Sequence, residues 1–129
     1  MGLRVFLFSI FLFLPALVFS QEKDCEQLIS RSEELWLKEN YDASDQVLLQ
    51  AEKLCPERAE IYWRLARNIY DRIESLPRHQ RPPKQERIQL YEKIIQLSDK
   101  CIKLAPEDGN CWLWKGIGLG RRGTTKGIL

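Results

Sequence analysis

The chain has 129 residues, 29% of them charged, with 20 Lys+Arg against 18 Asp+Glu and a formal net charge of +2. That length allows a single domain, and so even a balance gives no electrostatic reason to expect nucleic acid or an anionic membrane as partner. One histidine and no C-x-x-C leave zinc only four scattered thiolates, which argues against a metal, and no cofactor is expected.

The first twenty residues read as a signal peptide. Arg4 is a short positive start, VFLFSIFLFL an apolar run, and Pro15 ends it before Val18-Phe19-Ser20. Cleavage is expected after Ser20, leaving residues 21–129 as the domain. The rival reading, an uncleaved anchor, needs ~20 apolar residues to span a bilayer, and this run is shorter. A lipoprotein signal fits less well, because Cys25 lies beyond the cut. The chain is therefore expected to be exported, periplasmic or secreted, with no stable membrane insertion after cleavage. Four cysteines in such a chain favour disulfides.

The mature part reads as all-α. Asp24 with Gln27 looks like an N-cap and its partner, opening a helix that carries Leu28, Ile29, Leu35, Trp36 and Leu37. KENYD is a turn, with Asp42 as the cap of a second helix. That helix runs through Val47, Leu48, Ala51 and Leu54 to Cys55 and stops at Pro56. The third, from Ala59 to about Leu76, spaces Tyr62, Leu65, Ala66, Ile69, Tyr70 and Ile73 at three- and four-residue steps. PRHQRPPK, at about 77–85, then breaks the pattern with three prolines. A fourth helix from about Gln85 carries Ile88, Tyr91, Ile94, Ile95, Leu97, Cys101 and Leu104 and halts at Pro106. After a turn at Glu107–Asn110, CWLWKGIGLG opens a fifth. Gly120, Gly123 and Gly127 weaken helix beyond it, and no element is assigned to the last eight residues.

The helices pair. LCPE closes the second and LAPE the fourth, and Tyr41 and Tyr91 stand equally far before Pro56 and Pro106. Tyr62, Leu65, Ala66 and Ile69 fit a first helix, Tyr91, Ile94, Ser98, Cys101 and Pro106 a second, and Trp112 and Gly116 reopen the pattern. This resembles the tetratricopeptide repeat, whose helix–turn–helix units stack into a superhelical α-solenoid. The resemblance implies about two and a half units. Small residues, Ala66 and Gly116, would let helix backbones approach. Ser44 and Ile94 stand where the repeat usually has alanine, and Lys115 where it has leucine. The second unit is longer than the usual ~34 residues, and PRHQRPPK accounts for much of the excess. Within the repeat proteins the chain looks like an exported bacterial group. It is also similar to the repeat domain of the microtubule-dynamics regulators, from which only the fold is carried over, because an export signal argues against microtubules.

In such repeats the concave groove is lined by set positions of the first helices. They fall here on Glu60, Trp63, Arg67, Tyr70 and Asp71, and in the next unit on Asn110, Leu113, Ile117, Gly120 and Arg121. Aromatics beside arginine suit a peptide or a small organic ligand; the alternative is that Trp63 and Tyr70 pack against the insertion. The basic residues Arg78, Arg81, Lys84 and Arg87 read by default as a solvated loop, the other reading being contact with an acidic partner or phospholipid head groups. Gly118–Gly123 spells G-x-G-x-x-G, but at a helix end rather than after a strand, so it is set aside. Nothing pairs a nucleophile with a base, so the chain is not expected to be an enzyme. The expected function is protein–protein interaction or scaffolding through the groove. The alternative is a ligand-binding accessory subunit of a periplasmic transport system. The third unit has no second helix, which should leave Trp112, Trp114 or Ile117 partly bare and promote self-association.

Cys25 opens the first helix and Cys55 closes the second, so in an antiparallel hairpin they are neighbours; Cys101 and Cys111 flank the turn at Pro106. Pairing 25–55 and 101–111 is favoured over four buried thiols, and each bridge would add ~2–4 kcal/mol. Peptide mapping of the non-reduced protein should recover both linkages. A Cys55–Cys101 peptide would overturn the pairing.

Overall fold

Residues 14–127 of the computed structural model are described, and they form five helices. These are α1 (Leu14–Leu37), α2 (Tyr41–Leu54), α3 (Ala59–Glu74), α4 (Lys84–Leu104) and α5 (Gly109–Lys126), with a 3-10 turn at Arg78–Gln80. Among the described residues there is no strand. Arg4 and most of the apolar run of the leader lie outside them, as do Ile128 and Leu129.

The start of the first helix differs from expectation. Asp24 is not an N-cap, because α1 runs unbroken from Leu14 through Ser20 and Gln21 to Leu37. Pro15 stands at the start of the described span, and no glycine or proline follows it before Asp24. Leu17, Val18 and Phe19 are exposed, while the Gln21 side-chain amide donates to the Leu54 carbonyl at 3.0 Å. No helix in the described residues is long and apolar enough to cross a membrane.

The turn between α1 and α2 corrects a second cap. Glu39 takes the left-handed conformation (φ 57°), its N–H bonding to the Trp36 carbonyl at 2.8 Å and that of Asn40 to Leu35 at 2.9 Å. This is a Schellman ending with glutamate where glycine is usual. It delivers Asn40, not Asp42, to the cap position of α2, where its side chain accepts from the Ala43 N–H. Asp42 is left in the first turn, where its charge suits the helix dipole.

The two proline turns repeat each other bond for bond. In the first, Cys55 N–H reaches Ala51, Arg58 reaches Cys55 and Ile61 reaches Arg58; in the second, Ala105 reaches Cys101, Asp108 reaches Ala105 and Cys111 reaches Asp108. Six residues beyond each proline an aromatic donates to its carbonyl, the Tyr62 hydroxyl to Pro56 and the Trp112 indole to Pro106 at 2.8 Å. The fold is thus a helical repeat array. Each helix packs on the next, and α3 also packs on α5. The extra length of the second unit goes only partly into the proline-rich loop, since α4 has 21 residues where α2 has 14.

The core has two halves. One gathers all four cysteines with Ile29, Leu48, Ile61 and Tyr62; the other gathers Ala66, Ile69, Ile73, Tyr91, Ile94 and Trp114. The cysteines stand in two bonded pairs, Cys25–Cys55 with Cα atoms 6.3 Å apart and Cys101–Cys111 with Cα atoms 5.3 Å apart. Ser44, in place of alanine, is buried but partnered: it donates to the Ser32 carbonyl at 2.9 Å and accepts from the Asn68 amide at 2.9 Å. That chain ties α1, α2 and α3 through polar groups that would be costly to bury alone.

At the far end, α5 continues through Gly120 and Gly123 to Lys126, and Gly127 (φ 81°) ends it. The sequence motif G-x-G-x-x-G therefore lies inside a helix. The glycine that permits close approach is Gly118, not Gly116. A Cβ on Gly118 would meet Ile94 Cγ2 and Ile95 Cγ1 at 2.9 Å, whereas one on Gly116 meets nothing within 4 Å. Gly116→Ala is expected to stabilise the protein by up to ~1 kcal/mol through helix propensity. Gly118→Ala should fall below it by about 1–3 kcal/mol, the usual cost of overpacking. Denaturant melts of the two variants check this, and equal stability would place the close contact elsewhere.

Candidate functional site

The positions expected to line a groove on α3 divide into two sets with different surroundings. Arg67 is only 8% exposed. Its guanidinium makes a two-pronged contact with Glu33 of α1, at 3.1 and 2.6 Å, and lies 3.7 Å from the ring centroid of Trp36 and 5.2 Å from that of Trp63. Paired and stacked in this way, an arginine can be buried where a lone one could not. Next to it the Trp36 indole donates to Asp71 at 2.7 Å. Glu60 is engaged with Arg58 and, at 3.4 Å, with Arg64, which also reaches Glu33 at 3.3 Å. Between α1 and α3 the proposed lining is therefore occupied by the protein's own partners. Trp63 packs against both halves of the core, so it is part of the support and not a free anchor.

The half of the surface between α3 and α5 is more open. Tyr70 meets Trp114 edge-on, with ring centroids 5.7 Å apart, and its hydroxyl accepts from Arg121 at 3.2 Å. Ile117 is half-buried against that cluster. Leu113 is 54% exposed, Asn110 is exposed and Gly120 is half-buried. Trp114, expected to be partly bare, is buried as the floor of this face, while Trp112 stays 52% exposed.

Two further concavities lie elsewhere on the described surface. One, of about 330 Å³, lies over α3 between α2 and α4, with Leu49, Leu65, Ile69, Leu90 and Leu97 inside and charged side chains around them. It needs three helices to form, so no single stretch shows it. The other, of about 430 Å³, gathers Arg78, Arg81 and Arg87 from the insertion and the start of α4 with Arg121 from the end of α5. Lys84, grouped with them by sequence, is exposed and is not among the cleft-lining residues. His79 is exposed in the 3-10 turn. Among the described residues no group of three or more His, Cys, Asp or Glu could hold a metal ion.

The family model described as "Regulator of microtubule dynamics protein 1-3" matches residues 28–129. The match begins inside α1 and covers the ion-paired joint, the open face and both concavities. No curated protein and no solved structure matches the chain.

The joint between α1 and α3 has a pH signature. Arg67, by hydrogen bond first and charge as well, and then Arg64, hold the Glu33 carboxyl below the ordinary glutamate range despite its partial burial. A carboxyl depressed in the folded state contributes stability that is complete above its unfolded pKa and is lost as pH falls through the folded one. Glu33→Gln should therefore cost stability at neutral pH, by about 1 kcal/mol, less than the usual ~1.5–3 kcal/mol of a charge-assisted hydrogen bond because Glu33 is part exposed. Urea melts from pH 7 to pH 3 should show the gap between wild type and variant closing below about pH 4. A gap independent of pH would mean that Glu33 acts only by packing.

Proposed function

The chain belongs to the family described as regulator of microtubule dynamics protein 1-3, and on that premise we propose that it is a protein-interaction module of tetratricopeptide type that binds rather than catalyses. The observation that carries the reading is Leu113, an apolar side chain left 54% exposed on a first helix. It stands at the register position that Trp63 holds on α3, beside half-buried Ile117 and Tyr70. The partner is an extended protein segment or peptide laid across α3 and α5, with Leu113 and Ile117 as apolar contacts and Tyr70 and Asn110 as polar ones. The leader-like start and the paired cysteines support an exported chain, periplasmic or secreted. From the family name we therefore carry over interaction with a protein and not the microtubule.

A second reading has an observation of its own. The concavity over α3 is apolar within and charged at its edge, and its size lies within the range of small-molecule sites. It favours a small amphipathic ligand, as an accessory subunit of a transport system would take. Thermal-shift screening addresses it, and Leu49→Glu should abolish any ligand-induced shift.

For the interaction itself, cross-linking in the native cell identifies the partner and binding is then measured with purified proteins. Leu113→Glu should leave the melting point nearly unchanged, since exposed substitutions usually fall within ~0.5 kcal/mol, and weaken binding about tenfold, or ~1.4 kcal/mol. Wild-type affinity in that variant would remove this face from consideration. Exposed Trp112 and Leu119 make a second copy of the chain a competing occupant, and sedimentation equilibrium tests it. A monomer at micromolar concentration leaves the face to another protein.

A further inference from the structure

The loop after α3 carries basic residues that, taken as sequence, read as solvated. In three dimensions they are met by a fourth. Arg78 and Arg81 come from the loop, Arg87 from the first turn of α4, and Arg121 from α5. Their cleft of about 430 Å³ has no acidic residue in its lining, and Thr124 and Thr125 complete its rim. Glu74, at the end of α3, is the carboxylate that reaches these arginines, and a single oxygen of it serves two of them: Arg81 at 3.0 Å and Arg121 at 2.8 Å. Arg78 and Arg87 have no ion pair among the described residues, and the Arg87 Nε is buried without a hydrogen-bond partner. Four guanidiniums and one carboxylate thus leave an excess of positive charge in one small concavity.

The site is also held in shape. The Arg81 guanidinium donates to the carbonyls of Leu76 and Glu74, at 3.1 and 3.3 Å, capping the end of α3. Arg121 is fixed by the Tyr70 hydroxyl as well as by Glu74. Two donors are therefore positioned before any ligand arrives, which reduces the ordering cost of binding. Tyr91 lines the cleft while only 1% exposed. Burial first, and then Glu74, push its phenol above the ordinary range against the pull of Arg121, Arg87 and Arg81, so it keeps its proton and can donate.

We propose that this cleft binds a phosphate-type dianion, with Arg78, Arg81, Arg87 and Arg121 as the charged donors and the hydroxyl of Thr125 beside them, that of Thr124 being donated to the Gly120 carbonyl. A tetrahedral dianion presents enough acceptor oxygens to engage several guanidinium forks at once, whereas a single carboxylate presents two and one charge. The cleft adjoins the Leu113 face at the Tyr70–Arg121 contact, but Arg78, Arg81 and Arg87 lie outside that face, so anion binding stands whether or not a protein is bound there.

The test is calorimetric titration of the full, oxidised chain with inorganic phosphate, phenyl phosphate, sulfate and acetate, at pH 7.5 and matched ionic strength. Phosphate and sulfate should bind at least tenfold more tightly than acetate. Arg78→Gln and Arg87→Gln should each weaken phosphate at least tenfold, and Lys100→Gln, at the opposite end of the array, should not. Phenyl phosphate binding as tightly as phosphate assigns the site to a phosphoryl group on an organic ligand; its exclusion assigns the site to the free ion. Should Arg87→Gln melt early, Arg78→Gln carries the test, because Arg78 is exposed in a short 3-10 turn. Phosphate binding no tighter than acetate, or wild-type affinity in the Arg78→Gln variant, overturns the proposal.

Discussion

A charge buried between two helices sets the order of this array. Arg67 can be interior only because Glu33 and the Trp36 ring come from α1 to meet it. A shift of α1 by one residue would turn those groups away and leave a guanidinium without a partner, at a cost far above that of an ordinary surface pair. The Trp36–Asp71 hydrogen bond repeats the constraint further along the same two helices. With α1 and α3 aligned, α2 is held between them by the Ser32–Ser44–Asn68 chain. Apolar burial drives the helices together, and these polar contacts choose their register.

That choice also decides which surface is available. The first helices of a repeat array face a common side, but here α1 and α3 satisfy each other across it. The face opens only where α3 meets α5, because α5 contributes Leu113 and Ile117 where α1 contributes Glu33 and Trp36. An array that is self-complementary at one joint and unfilled at the next presents a short binding face rather than a continuous trough.

Much of this was legible in the chain. The three- and four-residue spacing in AEIYWRLARNIYDRI, the stops at Pro56 and Pro106 and the echo of LCPE in LAPE report local backbone preferences, which survive into the folded state. What was not legible depended on comparing near-equal local options or on distant contacts. Asp24 has the chemistry of a cap, but a helix already under way does not stop without a breaker. Asn40 and Asp42 are both good caps, and the left-handed Glu39 chooses between them. Gly116 and Gly118 look alike as letters, and only the position of Ile94 and Ile95 tells them apart. Trp63 and Arg67 look like ligand anchors because buried cation–aromatic pairs use the same residues as binding sites. Arg121 lies 34 residues beyond Arg87 in the sequence, and nothing local says that they share a cleft.

The core is fastened differently at its two ends. Both cysteine pairs sit at the end where α2 and α4 finish and α3 and α5 begin. At the opposite end the end of α3, the loop and α5 are joined by Glu74 with Arg81 and Arg121. Covalent bonds are indifferent to ionic strength, and the Glu74 pairs, with Glu74 and Arg81 each less than a fifth exposed, are screened much less than surface pairs. The array is therefore clamped covalently at one end and by partly buried ion pairs at the other, so reducing the cysteines would loosen the first end and leave the second in place.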